Sequence, residues 1–304
     1  MTRIPGIHHV TAISGPAQAN VSFYTRVLQQ RLVKKTVNFD DPGTYHLYYG
    51  DATGSPGTIL TFFPFADAGS GRAGPGMASA FAYAVPEGRF DAVMEGLALA
   101  AVDFAGPEVR FGQRVITLRD PDGAPVALVE TARPGAVPHE FHSVTLWEKD
   151  PSRTARLLSD VFGYADGGTE AFKGGERLRL IATGDAAGNI VDIIRKDAAA
   201  PGRPGAGTIH HIAFRARTQD EQHGWQEKLA SVGHRTTEVI DRQYFNAIYF
   251  REPGGVLFEI ATDAPGFAVD EPVATLGQAL KLPPKYEAHR GRIEQVLPPL
   301  KVAS

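Results

Sequence analysis

Gly6-Ile7-His8-His9-Val10-Thr11 near one end of the chain and Thr208-Ile209-His210-His211-Ile212-Ala213 towards the other are two versions of one short β-favouring run. Each is followed by a polar break and then by a helical pattern, about Asn20 to Leu32 and about Asp220 to Val232. A fainter copy stands at Phe141-His142-Ser143-Val144-Thr145-Leu146. It leads into Ser152 to Phe162, where Leu157, Leu158, Val161 and Phe162 recur at helical spacing. A fourth begins at Ser79-Ala80-Phe81-Ala82-Tyr83-Ala84, with its helix from about Gly88 to Leu99. Further strand-like runs close each unit at Thr58 to Phe63, Pro125 to Glu130, Ile190 to Ile194 and Val256 to Ile260. The pattern therefore predicts an α+β chain of four βαβββ modules, accounting for residues 5 to about 263.

The Pro/Gly-rich stretch Arg133 to Pro138 divides the units into two pairs, residues 1–133 and 138–263. Residues 264–304 carry Pro283-Pro284 and Pro298-Pro299 and are expected to form an extended arm over the body. With 43% hydrophobic and 21% charged residues the balance is that of a globular protein. A net charge of −3 offers no attraction for nucleic acid or anionic lipid. No apolar run approaches the roughly 20 residues of a membrane span, and the first residues lack a secretory signal, so a cytoplasmic protein with neither nucleic-acid nor membrane partners is expected. A homo-oligomer is compatible with the composition. The chain has no cysteine, which excludes disulfides, thiolate metal sites and cysteine nucleophiles; any metal must be held by His and carboxylate oxygen.

Aligning the four units on one another locates such a site. On the first strand of each unit one position is His9, Ala80, Ser143 and His211. On the last strand, four residues beyond the glycine of the preceding turn, stand Thr61, Ala127, Asp192 and Glu259. If units one and four face one cup and units two and three another, the first cup collects His9, His211 and Glu259, and the second retains Asp192 alone. Glu259 lies within Val256-Leu257-Phe258-Glu259-Ile260-Ala261, where a carboxylate is costly unless paired or metal-bound. Two imidazoles and one carboxylate hold a divalent first-row ion and leave about three adjacent positions open. Glu130 lies three residues past Ala127, on the opposite strand face, and is expected at the surface or a domain edge. Lys34-Lys35 reads as a solvated turn, and Tyr45, His46, Tyr48 and Tyr49 as packing aromatics.

Four such units, two per half, resemble the vicinal oxygen chelate fold of glyoxalases and extradiol dioxygenases. The resemblance implies two tandem domains, with mixed cup-shaped sheets and flanking helices. Several longer runs narrow it: Gly6 to Thr11, Asn20 to Tyr24, Arg31 to Pro42, Tyr45 to Asp51, Asp241 to Phe245 and Ile248 to Arg251. These are similar to ring-cleaving dioxygenases that open para-hydroquinones, small aromatic substrates. The resemblance implies His9, His211 and Glu259 as iron ligands, with His8, Thr11, His210, Arg242 and Tyr249 as the supporting catalytic set. On the residues alone, Thr11 shares a strand face with His9, whereas His8 and His210 alternate to the other face and need a bulge or a strand end to take part. Arg242 reads equally well as a surface cation. His210 is a candidate to exchange a phenolic proton, and Arg242 or Tyr249 to stabilise negative charge.

Glyoxalases of the fold usually hold their metal with four protein ligands, and Thr61 stands where the fourth would be. Open neighbouring positions therefore favour Fe(II), with Mn(II) second, and O2 as co-substrate. Two other readings stay open: a metal-dependent lyase, isomerase or thiol transferase of the same fold, and a non-catalytic quinone-binding protein.

Overall fold

The computed structural model describes residues 3–132, 139–172, 174–184, 186–198 and 200–302. The expected divider Arg133 to Pro138 lies outside the described residues. Unit one comprises β1 (Ile7–Ser14), β2 (Arg31–Val37), β3 (Tyr45–Gly50) and β4 (Ile59–Pro64). Unit two comprises β5 (Met77–Pro86), β6 (Phe104–Arg110), β7 (Gln113–Arg119) and β8 (Pro125–Thr131). Unit three holds β9 (Phe141–Trp147), β10 (Tyr164–Phe172), β11 (Gly175–Ala182) and β12 (Ile190–Lys196). Unit four holds β13 (Thr208–Ala216), the short β14 (Ile240–Asp241), β15 (Phe245–Arg251) and β16 (Leu257–Pro265). In each unit one helix follows the first strand: α1 (Ala17–Ser22), α2 (Phe90–Leu99), α3 (Ser152–Arg156) and α4 (Gln219–Ser231).

The strands form two mixed sheets of 8 strands, ordered β14-β15-β16-β13-β1-β4-β3-β2 and β10-β11-β12-β9-β5-β8-β7-β6. Each sheet thus joins one unit from each half of the sequence, one with four and two with three. The seams are antiparallel, β1 on β13 and β5 on β9. Within every unit the first and last strands run parallel in one register: Thr11 faces Thr61, Ala82 faces Ala127, Thr145 faces Asp192 and Ala213 faces Glu259. The glycines from which those positions are counted explain the regularity. Gly57, Gly123, Gly188 and Gly255 all take positive φ (88, 88, 65 and 105°), a conformation that costs glycine little and forces the same reversal before each last strand. The helices pack outside the sheets, and aromatic contacts tie neighbouring units: Phe162 of unit three meets Phe214 and Trp225 of unit four at ring separations of 5.0 and 5.5 Å.

Three local expectations need correction. The helix expected to reach Leu32 is a short α-helix running into a π-helical turn at Phe23–Val27, and β2 already begins at Arg31; Ser152 to Phe162 likewise divides into α3 and a π turn at Leu157–Val161. Apolar spacing does not separate the two hydrogen-bond patterns at this length. Lys34 and Lys35 form no solvated turn: they lie on β2, and Lys34 is fully buried with Nζ 2.5 Å from Asp270 and 2.7 Å from Glu271. Those acids belong to the C-terminal arm, which also carries α5 (Pro284–Glu287) and α6 (Arg290–Val296). The arm lines the open edge of β2, where Lys281 N–H donates to the Lys35 carbonyl. An edge strand left bare would offer unpaired backbone groups to other chains. No described helix is long and apolar enough to cross a membrane.

A buried ionisable group of another kind lies where unit three meets unit four. Glu148, just past β9, is 1% exposed, and its carboxyl sits against the Gly254 turn with neither oxygen hydrogen-bonded among the described residues. Burial, reinforced by neighbouring Glu252, pushes its pKa up to about 8. The folded state therefore retains a proton that the unfolded chain releases near the ordinary carboxyl value. Its contribution to stability is full below that value and is lost as pH rises through about 8. Thermal unfolding at about pH 6 and about pH 9 should show wild type losing on the order of 1.4 kcal/mol per unit of pH between the two pKa values, with Glu148→Gln removing most of this slope. Equal slopes in both proteins would refute the assignment.

Candidate metal centre

The inner strands of the first sheet bring His9 from β1, His211 from β13 and Glu259 from β16 to one point. Their ligand atoms all lie within 4.8 Å of one another, and all three residues are buried. His9 Nε2 is 3.3 Å from His211 Nε2 and 3.4 Å from Glu259 Oε2, and His211 Nε2 is 2.9 Å from the same oxygen. Despite these distances neither oxygen of Glu259 accepts a directed hydrogen bond from the described residues. A fully buried carboxylate without a donor is costly, and its position fits atoms that converge on a shared ion instead of on each other.

The neighbouring histidines set the chemistry of that point. His8 Nδ1 is 2.9 Å from His9 Nδ1, and His210 Nδ1 is 2.7 Å from His211 Nδ1. With each ligand ring protonated on Nδ1 and donating to its neighbour, both Nε2 atoms present lone pairs to the centre, the tautomer a metal requires. Regular alternation would turn His8 and His210 away. The β1–β13 ladder instead slips between Ile7 and His9 and again opposite His210, between Thr11 and Ala12, so both residues sit at bulges. Burial pushes the His8 and His211 imidazoles down and keeps them neutral. Burial alone would raise the Glu259 carboxyl; it is held below the usual carboxylate range where positive charge stands at the facing Nε2 atoms of His9 and His211, carried by protons on them or by a cation shared with them. Two neutral nitrogens and one anionic oxygen are the protonation states that bind a divalent cation.

A cavity of about 260 Å³ opens onto His9 and His211. Phe63, Phe245 and Tyr48 give it aromatic walls. Arg242 stands on one side, with Nε 3.2 Å from the Tyr249 hydroxyl and a terminal nitrogen 3.2 Å from Asp40. Tyr249 is the cross-strand partner of Glu259, which explains why a residue ten positions earlier in the chain reaches the same cup. Arg242 is therefore a half-buried cation of the cavity wall. Desolvation first and Glu259 second raise the Tyr249 hydroxyl's pKa, so it keeps its proton. His210 keeps contact with solvent at the mouth, while desolvation of its ring and the adjacent His211 push it down to about 4.

Thr11 belongs to a chain of hydrogen bonds that the sequence does not reveal. The Tyr48 hydroxyl lies 2.8 Å from His46 Nδ1, His46 Nε2 lies 2.9 Å from Thr61 Oγ1, and Thr61 donates to Thr11 Oγ1 at 2.9 Å. With the Tyr48 proton given to Nδ1, every donor in the chain points the same way, and the Thr11 proton is left for the cavity. His46 and Tyr48 are cavity residues as well as packing aromatics. The cross-strand pairing of Tyr48 with Thr61 is the signal that places them there, once Thr61 is recognised as the fourth inward position. Glu130 faces away, 3.6 Å from Arg114.

Two cups built from βαβββ units, one with a His/His/Glu set at the seam of its sheet, define a protein of the vicinal oxygen chelate type with a candidate metal site. The family model for the Glyoxalase/Bleomycin resistance protein/Dioxygenase superfamily matches residues 6–128 and 140–260, and the chain belongs to that superfamily. It is 45% identical to MhqO of Bacillus subtilis (strain 168), named for ring-cleaving dioxygenase activity, over 98% of this chain and 97% of the relative. It is 33% identical to the chlorohydroquinone/hydroquinone 1,2-dioxygenase of Sphingobium indicum, over 94% and 93% of the two chains. A Bacillus subtilis crystal structure described by name as a dioxygenase superposes with a TM-score of 0.93 at 43% identity, covering 100% of both chains.

If His8 and His210 fix the ligand tautomers, His8→Ala and His210→Ala should each weaken metal binding by about 10- to 100-fold while the protein stays folded. Competition against a chromophoric chelator measures this, and unchanged affinity in both variants would remove the orienting role.

Proposed function

We propose that the chain is a non-haem Fe(II)-dependent ring-cleaving dioxygenase that opens para-hydroquinone-type aromatics beside a hydroxyl, with both atoms of O2 entering the product. The observation that carries this reading is the three-ligand set of His9, His211 and Glu259 beside an aromatic cavity, with no fourth His or carboxylate joining it among the described residues. Thr61, at the fourth inward position, spends its hydroxyl on Thr11 and His46. That argues against the four-ligand lyase or isomerase alternative. The names carried by the relatives point to the same chemistry. Bound to His9, His211 and Glu259, iron would supply the Lewis acidity that ionises a phenol and the one-electron exchange that lets a ring react with O2.

The chain's own groups do the rest. Phe63 and Phe245 hold one aromatic ring and exclude water from it. With His210 Nδ1 engaged by His211, His210 Nε2–H is available to hold a substrate oxygen at the cavity mouth. Thr11 offers its hydroxyl proton from the floor. Arg242, fixed between Asp40 and Tyr249, places a permanent positive charge where oxygen atoms gain negative charge during ring opening.

After anaerobic loading with Fe(II), an oxygen electrode should record uptake that depends on hydroquinone, with one O2 consumed per ring opened. In Glu259→Gln, metal content and uptake should fall together, by more than about 100-fold, since loss of a ligand costs more than loss of its supporting partner. Unchanged turnover in that variant, or hydroquinone conversion without oxygen consumption, would overturn the proposal.

A further inference from the structure

The second sheet curves round a cavity of about 520 Å³ that the proposed reaction does not use. At its metal-equivalent positions stand Ala80, Ser143, Ala127 and Asp192. The one remaining carboxylate is not available to a cation. Asp192 is fully buried and held by Arg179, with Nε 2.8 Å from Oδ1 and a terminal nitrogen 2.9 Å from Oδ2, and again by Arg177 at 3.3 Å. Two guanidiniums share a single acid.

Arg177 is the decisive group. It is 8% exposed, lines the cavity, and gives one terminal nitrogen to both Asp192 and Thr145, while its buried Nε has no acceptor among the described residues. Burial first and the nearby Arg110 second lower its pKa, and Asp192 and Glu170 only partly offset them. Other cations face the same space. Arg72, Arg110, Arg119 and Lys196 line it, against Asp122 as the one acid in the lining. Glu108 offsets Arg110 at 2.5 Å, Asp122 accepts from the Gly15 amide, and Glu170, close enough to act on Arg177, spends an oxygen on the Phe111 amide, so the cations around the cavity outnumber the acids. The remaining wall is apolar: Trp147, with Lys196 Nζ 4.3 Å from its ring centroid, together with Ile194 and Ala127.

We propose that this second cup binds a small organic carboxylate, its anionic head on Arg177 and Arg110 and its short apolar body against Trp147 and Ile194. Guanidinium groups suit a carboxylate because their planar N–H forks match its two oxygens. Alanine at two of the former ligand positions leaves room for the body of the ligand. An anion there would meet the guanidinium of Arg177 and balance the excess positive charge.

The test is calorimetric titration of the full metal-free chain with maleate, maleamide and inorganic phosphate at matched ionic strength. Saturable maleate binding, at least about 10-fold weaker in Arg110→Gln and Arg177→Gln and unchanged in Arg242→Gln, supports the site. Arg110 lines the cavity with a less buried side chain, so Arg110→Gln keeps the test decisive even if Arg177→Gln fails to fold. Absence of maleate binding, equal binding in Arg110→Gln, or loss in Arg242→Gln, which would move the site to the first cup, overturns the proposal. So does phosphate or maleamide binding as tightly as maleate. None of these outcomes depends on ring-cleaving activity.

Discussion

One buried carboxylate governs this structure. Glu259 lies in an apolar strand with no hydrogen-bond donor directed at either oxygen, and two imidazole nitrogens face it across 2.9 and 3.4 Å. An ion taken from water into a protein interior costs several kcal/mol unless opposite charge or donors replace the lost hydration. Here the surrounding groups are lone pairs. The arrangement is favourable only with positive charge among them, and it requires β1, β13 and β16 to hold their relative register within a fraction of an ångström. Parallel pairing of first and last strands, the antiparallel seam between units one and four, and two bulges that turn His8 and His210 inward together supply that alignment.

The two cups show how one backbone supports opposite electrostatics. Glu259 and Asp192 occupy equivalent places opposite Ala213 and Thr145. In the first cup the acid meets neutral rings, and a cation fits between them. In the second the acid meets permanent cations on β11, the strand next to its own, so attraction for positive charge becomes attraction for negative charge. The change needs no movement of the main chain: Arg177 and Arg179 extend from alternate positions of β11, on one face of the sheet.

The parts of the fold that repeat were readable from residues alone. Strand alternation, helix spacing and the turn glycines are local properties, and the four-residue count from glycine to ligand position needs no tertiary information. Features that depend on distant partners were hidden. Lys34 reads as a solvated cation because Asp270 and Glu271, which neutralise it, lie far along the chain in the C-terminal arm. His8 and His210 appear to point away because a bulge cannot be recognised from a single strand. His46 and Tyr48 fit an ordinary amphipathic strand, and only their pairing across to β4 brings them to the cavity. The π turns after α1 and α3 leave the apolar spacing almost unchanged, so the sequence carries little trace of them.

The pairing of the first unit with the last also fixes an order of events during synthesis. Unit one leaves the ribosome with His9 and half a cup, and it must wait while the middle units emerge before β13 and β16 can complete its sheet. Units two and three, neighbours in sequence, can close theirs earlier, since short loops are cheaper to bring together. A metal held by His9, His211 and Glu259 could therefore be captured only once units one and four have joined, and a nascent or prematurely terminated polypeptide presents an unfinished edge in place of a complete ligand set.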